Sequence, residues 1–204
     1  MKTLLSQWPY VKQTPMCGAP DVDVAAFLRA NGKESTAAHC AAVARTSEEL
    51  AARFGLDKTV ASRAALLHDI SCMLKPQDML EYAWACGWSI DEAEQKHPFL
   101  LHQRISAAFA RDVFNIDDGT ILSAIECHST LKENPGAYDM LLFIADKLSW
   151  DQKGAPPYYD AVCTALEQSL ACAALAYINY ALEHGMLLAP HQWLLDAKLT
   201  LQGT

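Results

Sequence analysis

Histidine and aspartate side chains recur in this 204-residue chain at positions whose neighbours are apolar. Asp146 ends the run MLLFIAD, one helical turn after Leu142, and a buried carboxylate is costly unless a cation lies near it. Imidazole and carboxylate groups suit Fe, Mn, Co or Zn, and a mixed shell leaves positions open for water and substrate. The candidate ligands are His39, His68, Asp69, His102, His128 and Asp146.

The local context of these residues favours treating them as one set. His39 shares a helical row with Val43 and Leu50, and His128 follows Ile125 on another apolar row. Taken singly, each such residue is more often a core histidine or a capping aspartate satisfied by hydrogen bonds. Their number in a single chain indicates a shared role, for which metal binding is the best explanation.

Helices are predicted to carry these residues, because apolar spacing of period 3.6, helix caps and helix-ending glycines recur and alternating strand patterns do not. We expect an all-α protein with an N-terminal arm over residues 1–20 and a single domain over 21–204. The predicted helices run from Ser35 or Thr36 to Phe54, from Asp57 to Asp69, from Pro76 to Gly87, from a capping box of Ser89 with Glu92, from Pro98 to Phe114, from Asp117 or Asp118 to His128, from Ala137 to Trp150, from Tyr159 to Glu183 and from near Pro190.

Composition narrows the classes of function. Sixteen Lys and Arg against 24 Asp and Glu give a net charge of -8, which disfavours a nucleic-acid or anionic-membrane partner. The apolar stretch 169–182 is too short to span a bilayer. Seven cysteines without a CxxC pair predict reduced thiols and a cytoplasmic location. The signatures GxxxxGK[ST], GxGxxG and HExxH do not occur, so the histidine and aspartate set is the main chemical signal.

The order and spacing of this set resemble the HD-domain metal-dependent phosphohydrolases. The resemblance begins at His39, passes through ALLHDI with its His68-Asp69 pair, and continues over HQRISAAFA, AIECHST and LLFIADKL. Within that superfamily these segments are similar to the bacterial symmetrical diadenosine tetraphosphatases of the YqeK type. The resemblance covers the chain from about Ser35 to the C-terminal helix and implies a helical bundle with a metal site in its core.

The resemblance also implies roles for individual residues. It implies that His39, His68, Asp69 and Asp146 hold a metal, foremost iron, with manganese as the alternative. Asp69, His102 and His128 would be catalytic, and the two histidines would contact substrate phosphates or help to hold a second metal. Lys147 is the best candidate among Lys75, Lys132 and Lys147 for binding phosphate oxygens. The implied reaction is attack of a metal-activated water on diadenosine tetraphosphate, giving two ADP.

Departures from the family pattern leave other functions open. Cys72 stands where the family has lysine, Ser106 and Leu131 where it has glycine, Gln152 where it has arginine, and Asp196-Ala197-Lys198 where an Arg-Asn pair is expected. Lysine does not reproduce the two-pronged contact of arginine, so a different nucleotide could bind.

The alternatives to the implied reaction are hydrolysis of a nucleoside phosphate or a guanosine alarmone, and a nucleotide-sensing module without turnover. A homodimer is possible, and the sequence leaves the oligomeric state open.

Overall fold

The computed structural model describes residues 4–150 and 152–203, and within these ranges the regular structure is entirely helical, as predicted. Short 3₁₀ helices at Leu4–Gln7 and Pro98–Leu101 accompany the α-helices. The α-helices are α1 (Pro20–Ala30), α2 (Glu34–Phe54), α3 (Lys58–Leu67), α4 (Pro76–Ala85), α5 (Glu92–Lys96), α6 (His102–Asp112), α7 (Gly119–Glu126), α8 (Ala137–Leu148), α9 (Tyr159–Leu166), α10 (Leu170–Glu183) and α11 (Gln192–Gln202).

The boundary between α2 and α3 follows the sequence signals. Gly55 ends α2 with a left-handed φ of 67°, a conformation that glycine adopts without steric cost. Asp57 then caps α3, because its side chain accepts a hydrogen bond of 2.7 Å from the Thr59 backbone N–H. The predicted start of α2 is wrong by a residue or two: the helix begins at Glu34, and no side chain caps it.

Two other predicted starts are corrected by the hydrogen bonds. The capping box is formed by Asp91 and Glu94 rather than by Ser89 and Glu92. Asp91 accepts from the Ala93 N–H at 2.7 Å, and Glu94 accepts from the Asp91 N–H at 2.9 Å. The helix expected from Pro98 opens with the 3₁₀ turn, so the α-helix begins only at His102.

The single long helix expected over residues 159–183 is two helices, α9 and α10. Ser169 lies between them in an extended conformation, with φ -166° and ψ 167°. Its hydroxyl accepts a hydrogen bond of 3.0 Å from the Cys172 N–H, which caps α10. A serine that satisfies the start of a new helix in this way competes with continuation of the old one.

The N-terminal segment packs on the bundle. Leu5, Trp8 and Val11 are each at most 6% exposed. The Trp8 ring stacks on Phe109 with centroids 5.6 Å apart and contacts Tyr82 at 5.3 Å. At least this part of the predicted arm therefore belongs to the hydrophobic core.

Packing among five helices creates the chamber for the candidate ligands. α2 packs against α3 and α8, α7 contacts α3, α6 and α8, and α6 also touches α3. The buried side of α3 is rich in alanine, with Ala61, Ala64 and Ala65 at most 1% exposed, which allows its neighbours to approach closely. No α-helix in the part of the chain that the structure describes is long and apolar enough to cross a membrane.

Candidate metal centre

The six candidate ligands come from five points of this packing arrangement. His39 lies within α2, and His68 and Asp69 lie in the turn that follows α3. His102 is the first residue of α6, His128 follows the end of α7, and Asp146 lies near the end of α8. The structure thus brings all six predicted residues to one side-chain cluster.

Three of the histidines are oriented by the same local contact. Each Nδ1 lies against a backbone carbonyl three residues earlier, and since a carbonyl can only accept, Nδ1 carries the proton. In this tautomer the Nε2 lone pair faces the cluster, as in metal-binding histidines held by an outer hydrogen bond. The pairs are His68 with Ala65 at 2.7 Å, His102 with Phe99 at 2.7 Å, and His128 with Ile125 at 2.9 Å.

One group of ligand atoms is centred on Asp146. Its Oδ1 lies 3.0 Å from His39 Nε2 and 3.7 Å from His68 Nε2, and the three ligand atoms lie within 4.8 Å of one another. His68 is fully buried, and its Nε2 has no hydrogen-bond partner among the described residues. A buried nitrogen acceptor without a hydrogen-bond partner is explained if a cation binds there and completes the group of ligands.

A second group is centred on Asp69 and shares His68 with the first. Asp69 Oδ1 lies 3.3 Å from His102 Nε2 and 3.6 Å from His128 Nε2, and the distance from His68 Nε2 to Asp69 Oδ2 is 3.6 Å. The ligand atoms of His68, Asp69 and His128 also lie within 4.8 Å of one another. Each of the two groups therefore has ligand atoms close enough together to bind a metal ion.

The cluster favours ionised carboxylates beside a neutral histidine. Burial opposes ionisation of Asp69, but its interactions with the adjacent rings of His68, His102 and His128 outweigh burial, so the pKa of Asp69 lies well below its usual value. Burial likewise opposes ionisation of Asp146, yet Lys147 and His39 lower its pKa. Burial, reinforced by the neighbouring histidines, lowers the pKa of His128 to about 4. These are the protonation states that metal ligands require.

Lys147 lies beside the cluster but is bonded within the protein. Its Nζ is 2.7 Å from Asp146 Oδ2 and 3.5 Å from the His128 carbonyl oxygen. The rings of Phe143 and Tyr177 lie 4.9 and 5.7 Å from the ammonium, and the side chain is 13% exposed. Burial alone would lower the pKa of Lys147, but the Asp146 charge raises it. The contact thus occupies one oxygen of Asp146 and leaves Oδ1 facing the histidines.

The other two candidate lysines lie elsewhere. Lys132 contacts Ser123 at 2.6 Å and Asp139 at 3.7 Å, and exposed Lys75 lies 5.1 Å above the Tyr10 ring.

Cys72 stands at the position where the family pattern has lysine. It is half-buried, and its Sγ lies 3.5 Å from the Thr36 hydroxyl. Burial raises the pKa of the Cys72 thiol, so it stays protonated and offers no nucleophile.

Residues outside the sequence prediction hold the ligand-bearing turns in place. Gln103 is fully buried, donates to the Thr130 hydroxyl at 3.1 Å and accepts from the Ser129 N–H at 3.0 Å, which fixes the turn after His128. Ser71 donates to the His102 carbonyl at 2.9 Å. A buried glutamine within a helix could have drawn attention to Gln103, because such a side chain needs partners.

Leu131 occupies the position where the family pattern has glycine. It is fully buried and keeps a positive φ of 57°, a conformation that costs a non-glycine residue about 1–2 kcal/mol. Leu131 thus adopts a backbone conformation that glycine reaches without strain, and burial of the leucine side chain offsets the cost.

The HD domain family model matches residues 36–151, a range that includes all six residues of the cluster. The chain belongs to the HD domain family. This HD domain protein is 41% identical over 147 residues to the "Uncharacterized protein in pepC 5'region" of Lactococcus lactis subsp. cremoris, a match covering 72% of this chain and 75% of that protein.

Two further relatives extend the comparison. A Halalkalibacterium halodurans protein named "Bis(5'-nucleosyl)-tetraphosphatase, symmetrical" is 30% identical over 121 residues, covering 53% of this chain and 57% of its own length. The crystal structure of a predicted HD superfamily hydrolase involved in NAD metabolism, from Clostridium acetobutylicum, superposes with a TM-score of 0.78. That match covers 88% of this chain and 95% of the other at 24% identity, and it supports the shared HD fold.

The donor set fits a transition metal. Neutral imidazole and ionised carboxylate ligands, in groups of three with atoms within 4.8 Å, match the preferences of Fe, Mn or Zn for mixed nitrogen and oxygen shells. His68 Nε2 and Asp69 Oδ1, which have no hydrogen-bond partner in the part of the chain that the structure describes, lie in this cluster and are the acceptors that such an ion would satisfy.

Proposed function

We propose that this HD domain protein is a metal-dependent phosphohydrolase that cleaves dinucleoside polyphosphates symmetrically, with diadenosine tetraphosphate giving two ADP. The observation that carries the proposal is the convergence of three oriented Nε2 atoms on two partly buried carboxylates. The Halalkalibacterium halodurans relative, named as a symmetrical tetraphosphatase, supports the choice of substrate.

We assign His39, His68, Asp69 and Asp146 to the metal, with iron as the first choice and manganese as the second. When bound, such an ion polarises a phosphoryl oxygen and lowers the pKa of a water molecule. Lys147 keeps Asp146 ionised and oriented through its contact with Oδ2. The chain therefore supplies a charged carboxylate at the site before substrate arrives.

The remaining residues of the cluster handle the phosphate and the proton. In the reaction, a water oxygen bonds to one phosphorus, the bond from that phosphorus to a bridging oxygen breaks, and ADP leaves with the electron pair. Nε2 of His102 or His128 is available to take the proton that water loses, because Nδ1 already carries one. Asp69 Oδ1, 3.3 Å from His102 Nε2, stabilises the positive charge formed there.

Product analysis tests the proposal directly. The purified chain is loaded with iron or manganese under reducing conditions and incubated with diadenosine tetraphosphate, nucleoside triphosphates and a guanosine tetraphosphate alarmone, and the products are separated by chromatography. We expect ADP as the sole product of diadenosine tetraphosphate. ATP plus AMP would contradict symmetrical cleavage, and turnover of another nucleotide alone would assign a different substrate.

A matched pair of variants guards against a contaminating hydrolase. Asp69→Asn removes a charge from the cluster, and Asp117→Asn removes one from an exposed position before α7. Only the first variant should lose turnover. If the metal-loaded wild-type protein bound nucleotides but cleaved none of them, the result would support a nucleotide-sensing role without turnover instead.

A further inference from the structure

A groove opens beside the metal cluster between one face of α2 and the end of α8. Its volume is about 540 Å³, within the range of about 300–1,000 Å³ that is usual for sites binding small molecules. His39, a candidate metal ligand, forms part of its wall. A phosphate held at the cluster would therefore place the rest of the substrate next to this groove.

We propose that this groove binds the nucleoside next to the reacting phosphates, with Trp150 contacting the base and Arg45 the adjacent phosphate. The inference rests on the proposed function, since it takes the substrate to be a nucleotide. It assigns substrate contacts to residues that lie outside the metal cluster.

Trp150 provides the aromatic surface of the groove. Its ring lies edge to face with Tyr158, with centroids 6.2 Å apart, and Tyr158 is itself held by a hydrogen bond of 3.0 Å to the Lys147 carbonyl. Trp150 Nε1 is buried and has no hydrogen-bond partner among the described residues. A purine base offers a flat face that can stack on the indole ring.

The rest of the groove suits a sugar and a charged phosphate. The Ser149 hydroxyl donates to the Thr46 hydroxyl at 3.0 Å, and Thr46 donates to the Ala42 carbonyl at 3.3 Å, which leaves oxygen lone pairs to accept from ribose hydroxyls. Arg45 is exposed at the rim, six residues after His39 on α2, a rise of about 9 Å along the helix. A guanidinium there offers donors to a phosphate oxygen in a chain whose net charge is -8.

A larger cavity elsewhere is less suitable. It measures about 740 Å³ and is lined by Glu94, Arg104, His191 and Trp193, among others. None of the six cluster residues lines it, so a nucleotide bound there would not present a phosphate to the candidate ligands. Of these two cavities, the groove at His39 is therefore the better candidate for binding the substrate next to the cluster.

Binding experiments without turnover test the assignment. ADP and inorganic pyrophosphate are titrated by calorimetry into the full-length, manganese-loaded protein. We expect Trp150→Leu to weaken ADP binding about tenfold, the size of effect usual for loss of one base–aromatic stack, and to leave pyrophosphate binding unchanged. Trp84→Leu is the matched control, because Trp84 is 53% exposed on α4 and outside the groove. An unchanged affinity for ADP in Trp150→Leu would overturn the proposal.

A second variant keeps the test valid should Trp150→Leu fold poorly. Arg45 is exposed, so Arg45→Gln leaves the core intact, and we expect it to weaken ADP binding about tenfold, as loss of one charge-assisted hydrogen bond implies. Wild-type affinity for ADP in this variant would remove Arg45 from the site. If both variants cleaved diadenosine tetraphosphate at the wild-type rate with unaltered KM, the groove proposal would be wrong. The proposed function would still stand. Loss of ADP binding in both variants of a protein that cleaves no dinucleotide would support the groove and refute the proposed substrate.

Discussion

His102 and His128 face each other through their Nε2 atoms at a distance of 3.1 Å. Because the Nδ1 proton of each ring is directed at a backbone carbonyl, two neutral rings would point lone pairs at each other. Such an arrangement is stable when a proton or a metal ion lies between or beside the two nitrogens. The pair therefore marks a place where the cluster accepts positive charge.

His128→Ala tests which kind of charge is accepted. We expect kcat to fall about a hundredfold to ten-thousandfold, the usual cost of losing a histidine that transfers or stabilises a proton. Metal per chain, measured by elemental analysis on the same sample, separates the two roles. Wild-type metal content makes His128 a substrate or proton contact, and a reduced content makes it a ligand to a second ion. If kcat and metal content both stayed at wild-type values, His128 would be only a core histidine.

Asp69→Ala and Asp146→Ala should each remove most of the bound metal and most of the hydrolysis, because each carboxylate anchors one group of ligand atoms. Elemental analysis after gel filtration measures the metal. Asp117→Ala, at an exposed position, is the control and should keep both properties. Full metal occupancy in both cluster variants would contradict the proposed site.

Lys147→Met should destabilise the metal-free protein. The substitution leaves the Asp146 carboxylate without its ammonium partner, and breaking a buried pair from one side costs about 3–5 kcal/mol in free energy of unfolding. Urea denaturation in the presence of a chelator measures this change, with exposed Lys153→Met as the control. A loss no larger than that of the control would show that Lys147 is free to serve the substrate instead.

Trp8→Ala should lower the free energy of unfolding by about 3–5 kcal/mol, as expected when a large aromatic side chain is removed from a core. Thermal and urea denaturation compare it with Trp84→Ala, which removes an exposed ring. Deletion of residues 1–11 should destabilise the protein in the same way. If stability stayed unchanged, the segment would be a dispensable tail, despite its contact with Phe109.

The sequence by itself determined the helical class and the identity of the chemically important residues. Gly55 and Asp57 mark a helix boundary through contacts within a few residues, and the apolar rows around His39 and His128 follow the period of one helix. Local geometry governs such features, so they can be predicted from the printed chain. The break at Ser169 is not visible in the apolar pattern, which continues across it, because the break depends on a cap made by a single hydrogen bond.

Only the tertiary structure decided which atoms meet. His39 and Asp146 are 107 positions apart in the sequence, yet His39 Nε2 lies 3.0 Å from Asp146 Oδ1 because α2 packs against α8. That contact depends on the shapes of both helix surfaces. The groove at Trp150 also lies between α2 and the end of α8, and a separate tertiary contact buries Trp8 against Phe109 of α6. Helical periodicity describes one helix at a time, whereas distances between helices arise from the joint packing of side chains distant in sequence.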